Sequence, residues 1–492
     1  MMAKNFASLW PLLFPAAGAC FIPLASLDRE HDTAKWIRAV VYGIAMLALG
    51  GSYFYLASLW HTGAQPEFEM LRMDRLAQFS GIFITIAAML TVMQAWDHFQ
   101  QEGWVKAETL SLLLFSVTGM MLFTATSNLL LMFLGLELLS LPLYALVATV
   151  RTRPEAPEGA MKYYLTGAVA SSCFLMGSVL IYGITGTLDL SAALAAKGGA
   201  DPLFLAGVAL LLLGFLFKTS AVPFHQWTPD AYQASPHPIA GFMSVATKGA
   251  AFIALMRVYP GALSGGAAGP KAQQVFAILA VLTLVIGNLT ALVQTDAKRM
   301  LAYSAISHAG YLLLGFVAGT PAAMTGVLFY LAIYLAMNMG AFGLFTAFGL
   351  VGSDTSYDAL RGLGWKRPVM GLCAVICMLS LAGIPPFGGF FGKYLIFKEL
   401  VATGHVSLAV LGVLASLVSL YYYLRLVVAL FLQAPTEALE RRRAEQPLAP
   451  SFLSGFSVFS ATVIVVMGGI AQGWIASRLA GPAVEEGLKL LR

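Results

Sequence analysis

The chain has 492 residues, 59% of them hydrophobic and only 11% charged, and its mean hydropathy is +0.79. A soluble domain carries about 25% charged residues, so a water-exposed globular fold is excluded. The net charge of +5 is small for this length and gives no reason to invoke a nucleic-acid partner.

Apolar runs of about 20 residues recur from Phe6 to Ala476, which is the pattern of membrane helices rather than barrel strands. They divide into about fourteen spans, so the expected fold is an all-α polytopic membrane protein. The spans begin near Phe6, Ile37, Leu76, Glu108, Ser127, Ala160, Leu203, Pro236, Ala272, Leu301, Ala322, Pro368, Val406 and Phe452. The first run follows Lys4 and has no small-residue cleavage site before DREHD, so it reads as a retained helix.

The fifth span, FLGLELLSLPLY, carries Glu137, a carboxylate deep in an unbroken apolar helix. Such a group is either protonated or paired with a cation. The sixth carries Lys162 near its start, where reaching out to the aqueous face competes with a role in transport. The seventh reads LLLLGFLFKTSAVPFHQW, with Lys218 about 15 residues, or roughly 23 Å, into the span and Pro223 just after it. Pro223 has no N–H, so a carbonyl near Thr219 is expected to lose its partner and to hold water beside the ammonium. His225 extends that polar stretch.

The eighth span carries Lys248 in SVATKGAAF, and the tenth carries His308 in SAISHAGY, where a packing role is as open as a chemical one. The twelfth is broken at CMLSLAGIPPFGGFFGKYLIF, with Lys393 seven residues beyond the pair Pro385 and Pro386 and close to Gly388, Gly389 and Gly392. Lys393 either faces a wet cavity or snorkels to the outer face. The four cysteines lie in apolar runs without a C-x-x-C, and no phosphate-binding glycine loop or haem-attachment motif occurs. No metal or redox cofactor is therefore expected on this chain.

A buried lysine and a break in a membrane helix are both costly in lipid, and both become tolerable beside water. Lysine also suits proton transfer in general. Its ordinary pKa near 10.4 falls by several units on burial and rises again when a carboxylate approaches. Moving one charge against about 150 mV costs about 3.5 kcal/mol, and nothing in the sequence supplies that energy.

The breaks fall in about the seventh and twelfth spans, so the broken helices cross in opposite directions, as in inverted five-helix repeats. The expected division is residues 1–106 as N-terminal helices 1–3, 107–260 and 271–432 as the two repeats, and 451–492 as the last helix and tail. Loop lysines and arginines, with Arg441, Arg442 and Arg443 as the strongest cluster, favour both termini on the outer side.

FLGLELLSLPLYALVA, FKTSAVPFHQWTPDAY, the Lys248 helix, QTDAKRMLAYSAISHAGY and LAGIPPFGGFFGKYLIF together resemble the antiporter-like membrane subunits of respiratory complex I. The resemblance covers roughly residues 109–430. Lys393 stands where the M-type sibling usually has glutamate, and the chain ends at Arg492 without the long L-type extension, which leaves the N-type branch.

The resemblance implies a coupled pair Glu137–Lys218, a central relay Lys248, and Lys393 leading to the far half-channel. Lys162 and His308 would be accessory. It implies partners that include other antiporter-like subunits, and quinone, FMN, iron–sulfur clusters and NADH on those partners. It also implies residence in a bacterial inner (plasma) membrane. The rival expectations are a cation/proton antiporter subunit of an Mrp-type or hydrogenase-linked complex, and a scaffold whose buried charges only hold helices together.

Overall fold

A computed structural model describes residues 9–25, 35–65, 67–68, 70–101, 107–150, 153–190, 192–193, 201–262, 269–350, 354–445 and 451–489. Helices dominate. In chain order they are α1 (Trp10–Ala25), α2 (Lys35–Thr62), α3 (Arg75–Gln101), α4 (Ala107–Thr124), α5 (Leu129–Val147) and α6 (Glu155–Thr185). There follow α7 (Pro202–Thr219), α8 (Trp227–Ala234) and α9 (His237–Phe242), which runs through a π turn at Met243–Thr247 into α10 (Lys248–Ala262). Next come α11 (Gly269–Leu292), α12 (Ala297–Ala318), α13 (Pro321–Ala347) and the short α14 (Tyr357–Leu360) and α15 (Leu363–Lys366). The chain then forms α16 (Pro368–Ala382), α17 (Gly388–Ala402), α18 (Val406–Phe431), α19 (Glu437–Glu445), α20 (Phe452–Ile470), α21 (Gln472–Ile475) and α22 (Gly481–Lys489).

Among the described residues, 12 helical segments are long and apolar enough to cross a membrane, α9 and α10 counting as one; α1 and α16 are shorter apolar helices. Thirteen of the fourteen expected starts meet one of these helices, and the first, Phe6, lies outside the described residues. The all-α, multi-pass fold follows from hydrocarbon leaving no other partner for backbone N–H and C=O groups. A two-residue antiparallel ribbon, Glu67–Phe68 with Leu71–Arg72, precedes α3.

Adjacent helices pair as hairpins: α4 with α5, α6 with α7, and α11 with α12. The α4–α5 contact is backbone to backbone. A Cβ placed on Gly135 would lie 2.7 Å from the Phe123 nitrogen and 2.9 Å from its Cα. Gly135 is two residues before Glu137, so this contact fixes the helix that carries the carboxylate. Gly135→Val is expected to force the hairpin apart at a cost of about 1–3 kcal/mol. The check is a lower melting temperature in detergent.

The interior is formed by α9, α10, α12 and α13. The span His237–Tyr259 is buried throughout, and α12 and α13 are buried over most of their length. α6, α11 and α18 form the periphery, with much of their surface facing outward.

Candidate functional site

Both expected breaks are present. α7 stops at Thr219 and α8 starts at Trp227; α16 stops at Ala382 and α17 starts at Gly388. Pro223 lies in the first gap and Pro385 and Pro386 in the second, and the Val222–Pro223 and Pro385–Pro386 bonds are cis. All three prolines face outward rather than lining the interior. The interior face of each break is instead made of helix ends.

The two ends treat their lysines differently. At the first break Ser220 adopts left-handed backbone, φ 60°, and the α7 carbonyls are taken up locally. Ala221 N donates to Leu216 O at 3.0 Å and Ser220 N to Phe217 O at 3.0 Å. Trp227 Nε1 also donates to Phe217 O, at 3.3 Å. Lys218 takes neither of these carbonyls, because a helix cap and an indole already satisfy them.

Lys218, 2% exposed, turns into an aromatic cage. Its Nζ donates to Tyr163 Oη at 3.4 Å and stands 5.4, 5.0 and 5.3 Å from the ring centres of Tyr144, Tyr163 and Phe217. Tyr163 in turn stacks on Trp227 at 4.2 Å. Glu137 is half-buried on α5 and acts on Lys218 through its charge, but the two do not form an ion pair among the described residues.

At the second break Gly383, φ +88°, ends α16 and leaves the last carbonyls free. Lys393 takes them: its Nζ donates to Leu381 O and to Ala382 O, both at 3.1 Å, and to Ser416 Oγ at 3.1 Å. It is 3% exposed and lies 4.4 Å from the Tyr311 ring centre, so it does not snorkel. A Cβ at Gly383 would come within 3.1 Å of Lys393 Cδ, which makes glycine here a requirement of both backbone and lysine.

Between the breaks lies Lys248, 1% exposed, whose Nζ donates to Ala305 O at 2.6 Å. One turn on, both ring nitrogens of His308 are engaged: Nδ1 with Tyr330 Oη at 2.5 Å and Nε2 with Tyr423 Oη at 3.0 Å. Tyr423 also bonds Ser304. Tyr311 Oη meets Ser416 Oγ at 3.0 Å, and Ser416 meets Lys393. Lys248, His308 and Lys393 are thus set in one field of hydroxyl groups from α12, α13 and α18.

The accessory residues divide. His308 is central. Lys162 is not interior: it is 46% exposed and bridges Glu158 at 2.6 Å and Asp230 at 2.8 Å. Asp230 is shared with Arg299 at 2.7 Å, which ties α6, α8 and α12 together. His225 is half-buried in the first break, and no side-chain hydrogen bond joins it to Lys218 among the described residues. Sequence reasoning missed Tyr144, Tyr163, Tyr330 and Tyr423, because mid-helix tyrosine reads as packing. Their polar tips need a partner when buried, and that was the available signal.

Among the described residues no group of three or more His, Cys, Asp or Glu side chains is placed to hold a metal ion. The fold and the site together define a polytopic membrane protein whose buried lysines stand at and between two broken helices, the antiporter-like class. The NADH:quinone oxidoreductase/Mrp antiporter transmembrane family model matches residues 126–419.

The chain is similar to NADH-quinone oxidoreductase subunit N of Salinibacter ruber, 40% identical over 94% of this chain and 92% of that one. It is also similar to subunit N 1 of Sorangium cellulosum, 38% identical over 95% and 96%. A solved chain of respiratory complex I from Thermus thermophilus with bound aureothin superposes with TM-score 0.79 at 35% identity, over 96% of this chain and 99% of that one. A chain of the Mrp complex from Dietzia has the same fold, TM-score 0.85, at 20% identity. The chain belongs to the NADH:quinone oxidoreductase/Mrp antiporter family of membrane subunits, and its curated relatives are N-type subunits.

Proposed function

We propose that this chain is the N-type proton-translocating membrane subunit of an NADH-quinone oxidoreductase. One observation carries the reading: Lys218, Lys248 and Lys393 are each at most 3% exposed, and none has an ion-pair partner among the described residues. A scaffold gains nothing from such groups, since burying an unpaired ammonium is costly and apolar residues pack better. A relay needs them, because an amine that loses and regains a proton carries charge through a site that excludes ions.

In this reading Glu137 sets the charge state of Lys218. Lys248 receives the proton, and His308 with its tyrosines hands it to Lys393. Lys162 holds α8 in place through Asp230 rather than carrying the proton itself. The chain is a bacterial inner-membrane protein with both termini outside, packed among other membrane subunits. NADH, FMN, iron–sulfur clusters and quinone act on partner subunits and supply the energy. Residues 107–260 and 271–432 are the two inverted halves, a division supported by the matching hairpins α4–α5 and α11–α12 and by one broken helix in each half.

The test is purification in mild detergent, followed by NADH-driven proton pumping in vesicles. NADH-quinone reductase subunits are expected to accompany the chain, and pumping is expected to be independent of sodium. Lys393→Met is expected to lower the protons pumped per NADH. Sodium-dependent flux without quinone would favour an antiporter instead.

A further inference from the structure

His98 and His237 form a second buried group that the relay above does not use. His98 sits one turn before the end of α3, and His237 is the first residue of α9. Their rings are 5.0 Å apart, centre to centre, and the side chains are 0% and 1% exposed. Neither ring nitrogen of either residue has a hydrogen-bond partner among the described residues. Four such nitrogens in one place are not explained by packing, because buried polar groups are normally satisfied by protein or by ordered water.

The pair lies at the end of a polar line. Gln94, one turn before His98 on α3, donates to Met339 O at 3.0 Å, and its Oε1 is unpartnered. Beside Met339 on α13 is Asn338, with both amide atoms unpartnered; Tyr334, one turn further, has an unpartnered hydroxyl. The Tyr334 ring is 5.0 Å from His308. On the other side, Lys298 donates to Gln233 O at 3.1 Å and to Ser235 O, next to the start of α9. Lys298 and Arg153 are the cations that act on both rings, while the Asp97 carboxylate beside His98 is committed to Ser454 N at 2.6 Å. Lys298 lies on the side that the loop charges assign to the interior of the cell.

We infer that His98 and His237 are a proton-loading station that feeds the His308 end of the relay from the inner side without passing through Lys218. A proton from the inner aqueous face binds one imidazole nitrogen, leaves from the other ring, and travels by water held on Gln94, Asn338 and Tyr334 to His308. Only a proton moves, and each imidazole returns to its neutral form. The inference rests on the relay reading above.

The test uses the whole enzyme in vesicles, comparing His98→Gln/His237→Gln with Lys218→Met. The histidine variant is expected to pump fewer protons per NADH. The same protons per NADH would overturn the inference. If that holds while Lys218→Met fails to pump, only the inference falls; if Lys218→Met also pumps normally, the relay reading falls with it. A second measurement needs only the native fold. Infrared difference spectra of the isotope-labelled-histidine enzyme during turnover should contain imidazole protonation bands that His237→Gln alone removes. Bands that survive in that variant count against the station.

Discussion

Lys218→Met is expected to yield an assembled enzyme in which proton flux through this chain falls by roughly 10²-fold or more, the usual weight of one positioned proton-transfer group. Assembly survives because methionine fills the same linear space, and its sulfur packs well against the rings of Tyr144, Tyr163 and Phe217. Removing a buried ammonium that has no ion-pair partner also relieves a desolvation cost. The flux falls because what remains beside Glu137 is tyrosine, whose ordinary pKa near 10 makes it a poor carrier at neutral pH. NADH-driven acidification of vesicles, read with a pH-sensitive dye, measures it. Unchanged pumping would remove Lys218 from the relay.

Asp74→Ala is expected to have the largest effect on stability. Asp74 and Arg257 are 2% and 4% exposed and meet in a two-pronged ion pair, Nη1 to Oδ2 at 2.7 Å and Nη2 to Oδ1 at 2.6 Å. Arg257 Nε also donates to Thr124 O at 2.6 Å, and Asp74 Oδ1 accepts from Ala77 N at 2.9 Å at the start of α3. One ion pair therefore joins α3, α4 and α10.

Deleting it strands a buried guanidinium, at about 3–5 kcal/mol, and removes a helix cap worth about 1 kcal/mol more. The yield of folded chain in detergent and its melting temperature are both expected to drop. Adding Arg257→Met to Asp74→Ala is expected to recover most of the loss, because replacing both partners by apolar groups is often neutral. No recovery in the double variant would mean that the cap and the Thr124 contact, not the stranded charge, carry the cost.

Much of this was legible in the sequence. The helices were, because lipid leaves the backbone few alternatives and each span leaves a run of apolar residues. Lys218, Lys248 and Lys393 were visible because an ammonium stands out in such a run. Their surroundings were not. Whether Lys218 meets a carboxylate, a carbonyl or a ring depends on how Ser220 and Trp227 close the end of α7, and that is a matter of three-dimensional capping. The partner of Arg257 was hidden too, since Asp74 is 183 positions away and nothing in a linear pattern joins them. His98 and His237 were silent for the same reason: each is ordinary until the other is placed 5.0 Å from it.

The end of α16 sets the two terminal lysines apart. Lys393 is countered by peptide dipoles at a helix C-terminus, a fixed partial charge that no proton can quench. In the proposed relay Lys218 answers to Glu137, a half-buried side chain that can be displaced or approached from outside. In the proposed relay, command therefore enters only upstream: a neighbour touching Glu137 can throttle the first transfer, while the last behaves as a passive outlet.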